Sequence, residues 1–175
     1  MIEGKLRSAI RDIPDFPMEG VVFKDITPIM MDAELSNEVV ECLYQKYKDH
    51  KIDAVAGIES RGFLFGYPLA MKLKVPFVLI RKKGKLPYDK ISHDYDLEYG
   101  SATIEIHTDA LNKNDHVLIH DDLLATGGSA EAAGILVEKT GAKVAGFDFL
   151  VSLDFLNGAE KLKKFSDNIA NLVAY

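Results

Sequence analysis

The chain has 175 residues, 47% of them apolar, which is enough to bury a real core within one domain. Its formal net charge of -6 argues against broad nucleic-acid binding, because sequence-independent affinity for phosphate backbones needs dense positive surface. The single cysteine, Cys42, excludes an intramolecular disulfide. No signal-length apolar run opens the sequence, and the most apolar stretch, GFLFGYPLAMKL, is interrupted by Pro68 and Lys72. A cytoplasmic protein that does not span a membrane is expected.

Taken in chain order, Ile2 to Ile13 carries Ile2, Leu6, Ala9, Ile10 and Ile13 at helical spacing, and the predicted helix ends at Pro14. The next stretch, DIPDFPMEGVVFKDITP, holds Pro14, Pro17, Gly20 and Pro28 and reads as an ordered, irregular arm. From Ser36, a plausible cap, to Asp49, the residues Val39, Val40, Leu43, Tyr44 and Tyr47 share one helical face. Residues 53–58 and 76–81 are predicted as buried strands joined by a helix over Gly62 to Leu73. The alternating SATIEIH (101–107) is a half-exposed strand, HVLIHD (116–121) precedes a helix over Gly128 to Thr140, and KVAGFDFLVSL (143–153) is a further strand. Strands alternating with crossover helices define an α/β fold, a single domain with a mainly parallel sheet flanked by helices.

Ligands of such sheets gather at the carboxyl ends of the strands. The richest strand-to-helix turn is HDDLLATGGS (120–129). Asp121 and Asp122 accept hydrogen bonds and suit the two hydroxyls of a ribose. Ala125, Thr126, Gly127, Gly128 and Ser129 can turn main-chain N–H groups and two hydroxyls toward one phosphate at a helix amino terminus. A glycine-containing helix start with solvated carboxylates is the plainer alternative, and the length of the motif weighs against it. Neither GxxxxGK[ST] nor GxGxxG after a strand is present.

With this motif the sequence resembles the type I phosphoribosyltransferases. The likeness sharpens toward their adenine-specific members at PDFPMEGVVFKDITP (14–28), GIESRGFLFG (57–66), RKKGKLP (81–87) and LEYG (97–100). Two departures are His120, where an aliphatic residue is usual, and Ser129, where threonine is usual. His120 is expected to be a core histidine satisfied by a neighbour.

The resemblance implies a small amino-terminal hood over the base site, with residues 1–35 as the base-binding arm. It implies a pyrophosphate loop at Gly57 to Gly62, with Glu59, Ser60 and Arg61 near the leaving group and a cis peptide between Glu59 and Ser60. Phe23 would stack on adenine while main-chain groups of Val22 and Lys24 read its edge, and Glu98 would be the acid/base group at the purine. Arg81, Lys82 and Lys85 belong to a basic run that would meet pyrophosphate, although such a run on its own is more often a solvated loop. Residues 82–97 are expected as a mobile lid excluding water. Substrates and products would be adenine, phosphoribosyl pyrophosphate, AMP and pyrophosphate. The cofactor would be Mg²⁺, held largely by substrate oxygens and water without a dedicated protein cage. A homodimer is implied, with an arginine of one chain reaching its partner's site. The competing readings are a noncatalytic regulator that binds phosphoribosyl pyrophosphate, and an enzyme acting on an oxopurine.

Overall fold

Strand pairing overrides the helical pattern near the amino terminus. In the computed structural model, which describes residues 1–96 and 100–175, helix α1 covers only Ile2–Ala9. Ile10 is extended, and the chain enters β1 (Arg11–Pro14), which pairs antiparallel with β2 (Val22–Asp25). Ile13 lies opposite Phe23, and Arg11 donates to Asp25 at 2.7 Å. The irregular arm therefore contains a hairpin, followed by the short α2 (Thr27–Met31). Helix α3 (Ala33–Tyr47) starts three residues before the expected cap, because the Asp32 carboxylate accepts the Leu35 N–H at 2.9 Å. Ser36 instead donates to the Ile29 carbonyl.

The chain divides into two compact units, Met1–Lys46 and Tyr47–Tyr175. The first contains the arm expected over residues 1–35 and continues to Lys46.

The second unit is built on β3 (Ala54–Ile58), buried at every residue because helices cover both faces of its sheet. Next come α4 (Gly62–Leu73), β4 (Phe77–Lys82), β5 (Lys90–Asp96), β6 (Ser101–His107), β7 (His116–Leu124), α5 (Gly128–Lys139), β8 (Lys143–Ser152) and β9 (Ile169–Ala174). The seven strands run in the order β5-β6-β4-β3-β7-β8-β9. Strands β4, β3, β7, β8 and β9 form successive parallel pairs, and the β5–β6 hairpin adds antiparallel to β4. After β3 the chain moves to one side, through α4 to β4; β7 returns to the other side and proceeds through α5 to β8. The boundary between β3 and β7 is thus the topological switch point, where a crevice opens at the strands' carboxyl ends.

The reading of residues 82–97 as a loop is corrected over part of its length. Residues 90–96, assigned to a mobile lid, form an edge strand paired with β6 at seven register positions. Ile91 and Tyr95 pack against the core, so this half of the segment is held by sheet pairing and apolar burial. Among the described residues, no helix is long and apolar enough to cross a membrane.

His120 is fully buried on β7, as expected of a core histidine. Its Nδ1 lies 3.1 Å from Asp148 Oδ2 on β8, and Tyr47 donates its hydroxyl to Asp148 Oδ1 at 2.9 Å. Burial first, then the Asp148 charge, pushes the Tyr47 phenol far above its ordinary range, so the phenol keeps its proton and donates. Asp148→Ala removes the acceptor that both side chains use, and should lower stability by about 2–4 kcal/mol in urea unfolding.

Candidate active site

The parallel register brings three strand ends to one edge. Ile58 pairs with Ile80 and Gly57 with His120, so the residues after β3 lie beside Asp121 and Asp122 on β7. A cleft of about 490 Å³ opens there, lined by Glu59, Arg61, Lys82, Tyr95, Asp96, Asp121 and Asp122 together with every residue from Leu123 to Ala130.

On one side is the loop leading into α4. The Glu59–Ser60 peptide is cis, as the resemblance implied. Glu59 accepts the Lys82 N–H at 2.8 Å and lies 3.3 Å from Arg81 Nε, which joins this loop to the end of β4. Burial pushes the Glu59 carboxyl up, but the Lys82 N–H and the Arg81 guanidinium outweigh it and hold the group below the usual carboxylate range. Arg61 Nε contacts Asp122 Oδ2 at 2.9 Å, which ties this loop to β7. Gly62 is required by packing, because a Cβ there would lie 2.6 Å from the His120 carbonyl oxygen. The start of α4 is pressed against β7.

Opposite lies the turn into α5. Gly127 has φ +81, and its added Cβ would meet the Gly158 carbonyl oxygen at 2.5 Å. Gly127 is therefore the residue for which the turn has no substitute. The amino terminus of α5 has no side-chain cap, and its first turn directs N–H groups and positive dipole potential toward the cleft. Ser129 Oγ donates to the Tyr95 hydroxyl at 3.3 Å.

Between these walls, Asp122 is 3% exposed and held by Arg61, whereas Asp121 is pushed well above the usual carboxylate range, first by burial and second by the Asp122 charge. Arg61 pulls it back only partly.

The sequence-derived residues separate into groups. Arg61, Glu59, Lys82, Asp121, Asp122 and Ala125 to Ser129 share the cleft. Ser60, Arg81 and Lys85 stand outside its lining: Ser60 lies within the loop, Arg81 is turned to Glu59, and Lys85 closes a turn on the Lys82 carbonyl. Val22, Phe23 and Lys24 lie on β2 in the first unit, where Phe23 meets Phe16 edge-on at 5.2 Å and Lys24 pairs with Asp12 at 2.6 Å. The two-stranded sheet leaves one edge of β2 outside its ladder. Glu98 lies outside the described residues. Sequence reasoning missed Tyr95 and the buried Glu105, which accepts the Gly84 N–H at 3.0 Å and fixes the basic turn. The alternation of Ile91, His93 and Tyr95 was the available signal for β5.

A family model described as the phosphoribosyl transferase domain matches residues 31–169. The chain belongs to the phosphoribosyl transferase family. It is 46% identical over 175 residues to the adenine phosphoribosyltransferase of Cytophaga hutchinsonii, covering all of this chain and 97% of that one. The crystal structure of adenine phosphoribosyltransferase from Thermoanaerobacter pseudethanolicus superposes with a TM-score of 0.95 at 45% identity, covering 100% of both chains. That of APRTase from Giardia lamblia complexed with 9-deazaadenine gives 0.94 at 37%, covering 100% of this chain and 98% of the other. Within the family, the chain falls among the adenine phosphoribosyltransferases.

Two predictions follow from this geometry. Gly127→Ala should cost about 1–3 kcal/mol through backbone strain and the contact with Gly158. Gly128→Ala, whose Cβ would meet nothing closer than the Asp96 carbonyl at 3.6 Å, should melt like the parent; paired thermal melts check the contrast.

The second concerns Asp121. Because its folded pKa is raised, its contribution to stability is fully present below the ordinary carboxylate value of about 4 and is lost as pH rises through the raised value. Asp121→Asn should therefore raise the melting temperature near pH 7 by about 2–4 °C, with the gain vanishing as pH falls toward about 4. Melts across that pH range check the sign.

Proposed function

We propose that this protein transfers the 5-phosphoribosyl group of phosphoribosyl pyrophosphate to adenine, giving AMP and pyrophosphate for purine salvage. The observation that carries the reading is the meeting, within one cleft, of an anion-binding helix start, paired carboxylates and the Arg61 loop.

In this assignment the N–H groups and hydroxyls of Thr126 to Ser129, with Ala125 completing the turn, hold the 5′-phosphate. Asp121 and Asp122 accept hydrogen bonds from the ribose 2′- and 3′-hydroxyls. Arg61 and Lys82 face the pyrophosphate, with Glu59 and Ser60 shaping the loop and Arg81 and Lys85 adding positive potential from outside the cleft lining. Adenine N9 forms the new bond to ribose C1′, with inversion, as the C1′–O bond breaks and its electron pair leaves with pyrophosphate. Positive charge on the ribose ring grows beside the carboxylates, which stabilise it more than they stabilise the ground state.

Phe23 stacks on the base, and the main-chain groups of Val22 and Lys24 read its edge. Glu98, as a carboxylate, takes the N7 proton of the 7H tautomer of adenine as the N9 lone pair attacks C1′, so the AMP formed carries no proton on either ring nitrogen.

Among the described residues, no group of three or more His, Cys, Asp or Glu side chains can hold a metal. Asp121 and Asp122 are hard oxygen donors that suit Mg²⁺ in combination with hydroxyl and phosphate oxygens of the substrate. Bound there, Mg²⁺ would supply charge neutralisation at the pyrophosphate.

Adenine presents a donor at its 6-amino group and an acceptor at N1, whereas hypoxanthine and guanine present the reverse. An edge matched to adenine leaves two polar groups unpaired against an oxopurine. Pyrophosphate release should depend on adenine, with kcat/KM for hypoxanthine and guanine lower by on the order of 10⁴-fold. Equal turnover of the three bases would overturn the adenine assignment. Tight binding of phosphoribosyl pyrophosphate with no release on adding any base would favour a regulator.

A further inference from the structure

We propose that Tyr95 is a positioning residue of the phosphate cradle, acting through Ser129 to aim that hydroxyl at the 5′-phosphate; the inference rests on the phosphoribosyl reading of the cleft. Tyr95 stands next to last in β5, fixed opposite Ala102 on β6 and packed by its ring against the core. It lines the cleft with the cradle residues, and its Cδ2 lies 3.8 Å from where a Gly128 Cβ would be. Its hydroxyl accepts the proton of Ser129 Oγ at 3.3 Å. The phenol is therefore aimed at the first turn of α5 from a strand held along its length by its ladder to β6.

A phosphate offers only acceptors, and Ala125 to Ala130 contains no lysine or arginine. Donors within the turn are its main-chain N–H groups and the hydroxyls of Thr126 and Ser129. A serine hydroxyl has one proton to give. In the free protein that proton points to Tyr95, so binding of phosphate requires it to turn. The phenol can reverse its own role, since it is both donor and acceptor. When Ser129 donates to a phosphate oxygen, the Tyr95 O–H donates to the lone pair that Ser129 Oγ then presents. The result is a chain from phenol to serine to phosphate, in which each bond polarises the next. Tyr95 thus satisfies Ser129 in both states and removes the cost of leaving its oxygen unpaired within the closed turn.

The test is a double-mutant cycle read by calorimetry of AMP binding, using the parent protein, Tyr95→Phe, Ser129→Ala and the double variant. Phenylalanine keeps the packed ring and deletes only the hydroxyl. Tyr95→Phe should weaken AMP by about 3–10-fold, and Ser129→Ala by at least as much. The double variant should bind no more weakly than Ser129→Ala alone, because without the serine hydroxyl the phenol has nothing to orient. Unchanged AMP affinity in Tyr95→Phe would overturn the proposal. So would a double variant whose loss equals the product of the two single losses, since the phenol would then act independently of Ser129. Failure of the parent protein to bind AMP would instead count against the phosphoribosyl reading itself.

Discussion

Gly62 has no side chain, and the backbone of β7 occupies the space one would fill. An added Cβ would sit 2.6 Å from the His120 carbonyl oxygen and 3.2 Å from Asp121 Cα. This approach sets the distance between the loop entering α4 and the two carboxylates of β7, and so places Arg61 Nε on Asp122. Gly57 acts on the preceding strand, β3: its missing Cβ makes room for the Phe77 ring, which Phe63 and Tyr67 of α4 meet edge-on. A bulkier residue at either glycine would lift α4 from the sheet and separate the leaving-group side of the cleft from the ribose side. Substitution at one sugar carbon needs both sides within the breadth of a single ribosyl group, so packing density here translates into catalytic alignment.

Charge is arranged less comfortably than packing. Two adjacent carboxylates lie near the carboxyl end of β7: Asp122 contacts the Arg61 guanidinium, while desolvation and the Asp122 charge disfavour the charged form of Asp121. The pair is electrostatically costly in the free protein because it is shaped for donors that arrive with the substrate. A ligand that brings two hydroxyls satisfies those acceptors, and binding adds to stability by mass action. Stability and function therefore pull in opposite directions at Asp121, a common trade at binding sites.

The sequence was most legible where the local signal and the tertiary demand agree. Helix α4 begins and ends where the pattern put it, at Gly62 and Leu73, and β6 spans the alternating SATIEIH. The phosphate turn was legible because adjacent acids, small residues and a helix start occur in one continuous segment. Tertiary pairing decided the elements that were misread: Arg11–Pro14 leaves the helical pattern because β2 offers it a partner, and β7 continues through Leu124 because β8 pairs with it to that residue. Geometry between segments was hidden for the same reason. Nothing local to Arg61 says that Asp122, sixty-one positions later, is its partner, and nothing near Ser129 points to Tyr95.

The β5–β6 hairpin also changes how closure over this cleft must be understood. A long polar connection between strands suits a loop that orders around its ligand, at a cost set by backbone entropy. Here Lys90–Asp96 is already paired residue for residue with Ser101–His107, and Ile91 and Tyr95 are packed inward. Much of that ordering cost is thus met during folding rather than on binding. The buried Glu105 carries this order into the basic turn, taking the Gly84 N–H at 3.0 Å and lying 3.4 Å from the Ser92 hydroxyl. One carboxylate on β6 therefore ties the hairpin to the segment after β4. Movement of β5 toward the ligand means displacing a two-stranded ribbon together with that turn, and Tyr95 at its end would carry the motion directly to the phosphate cradle.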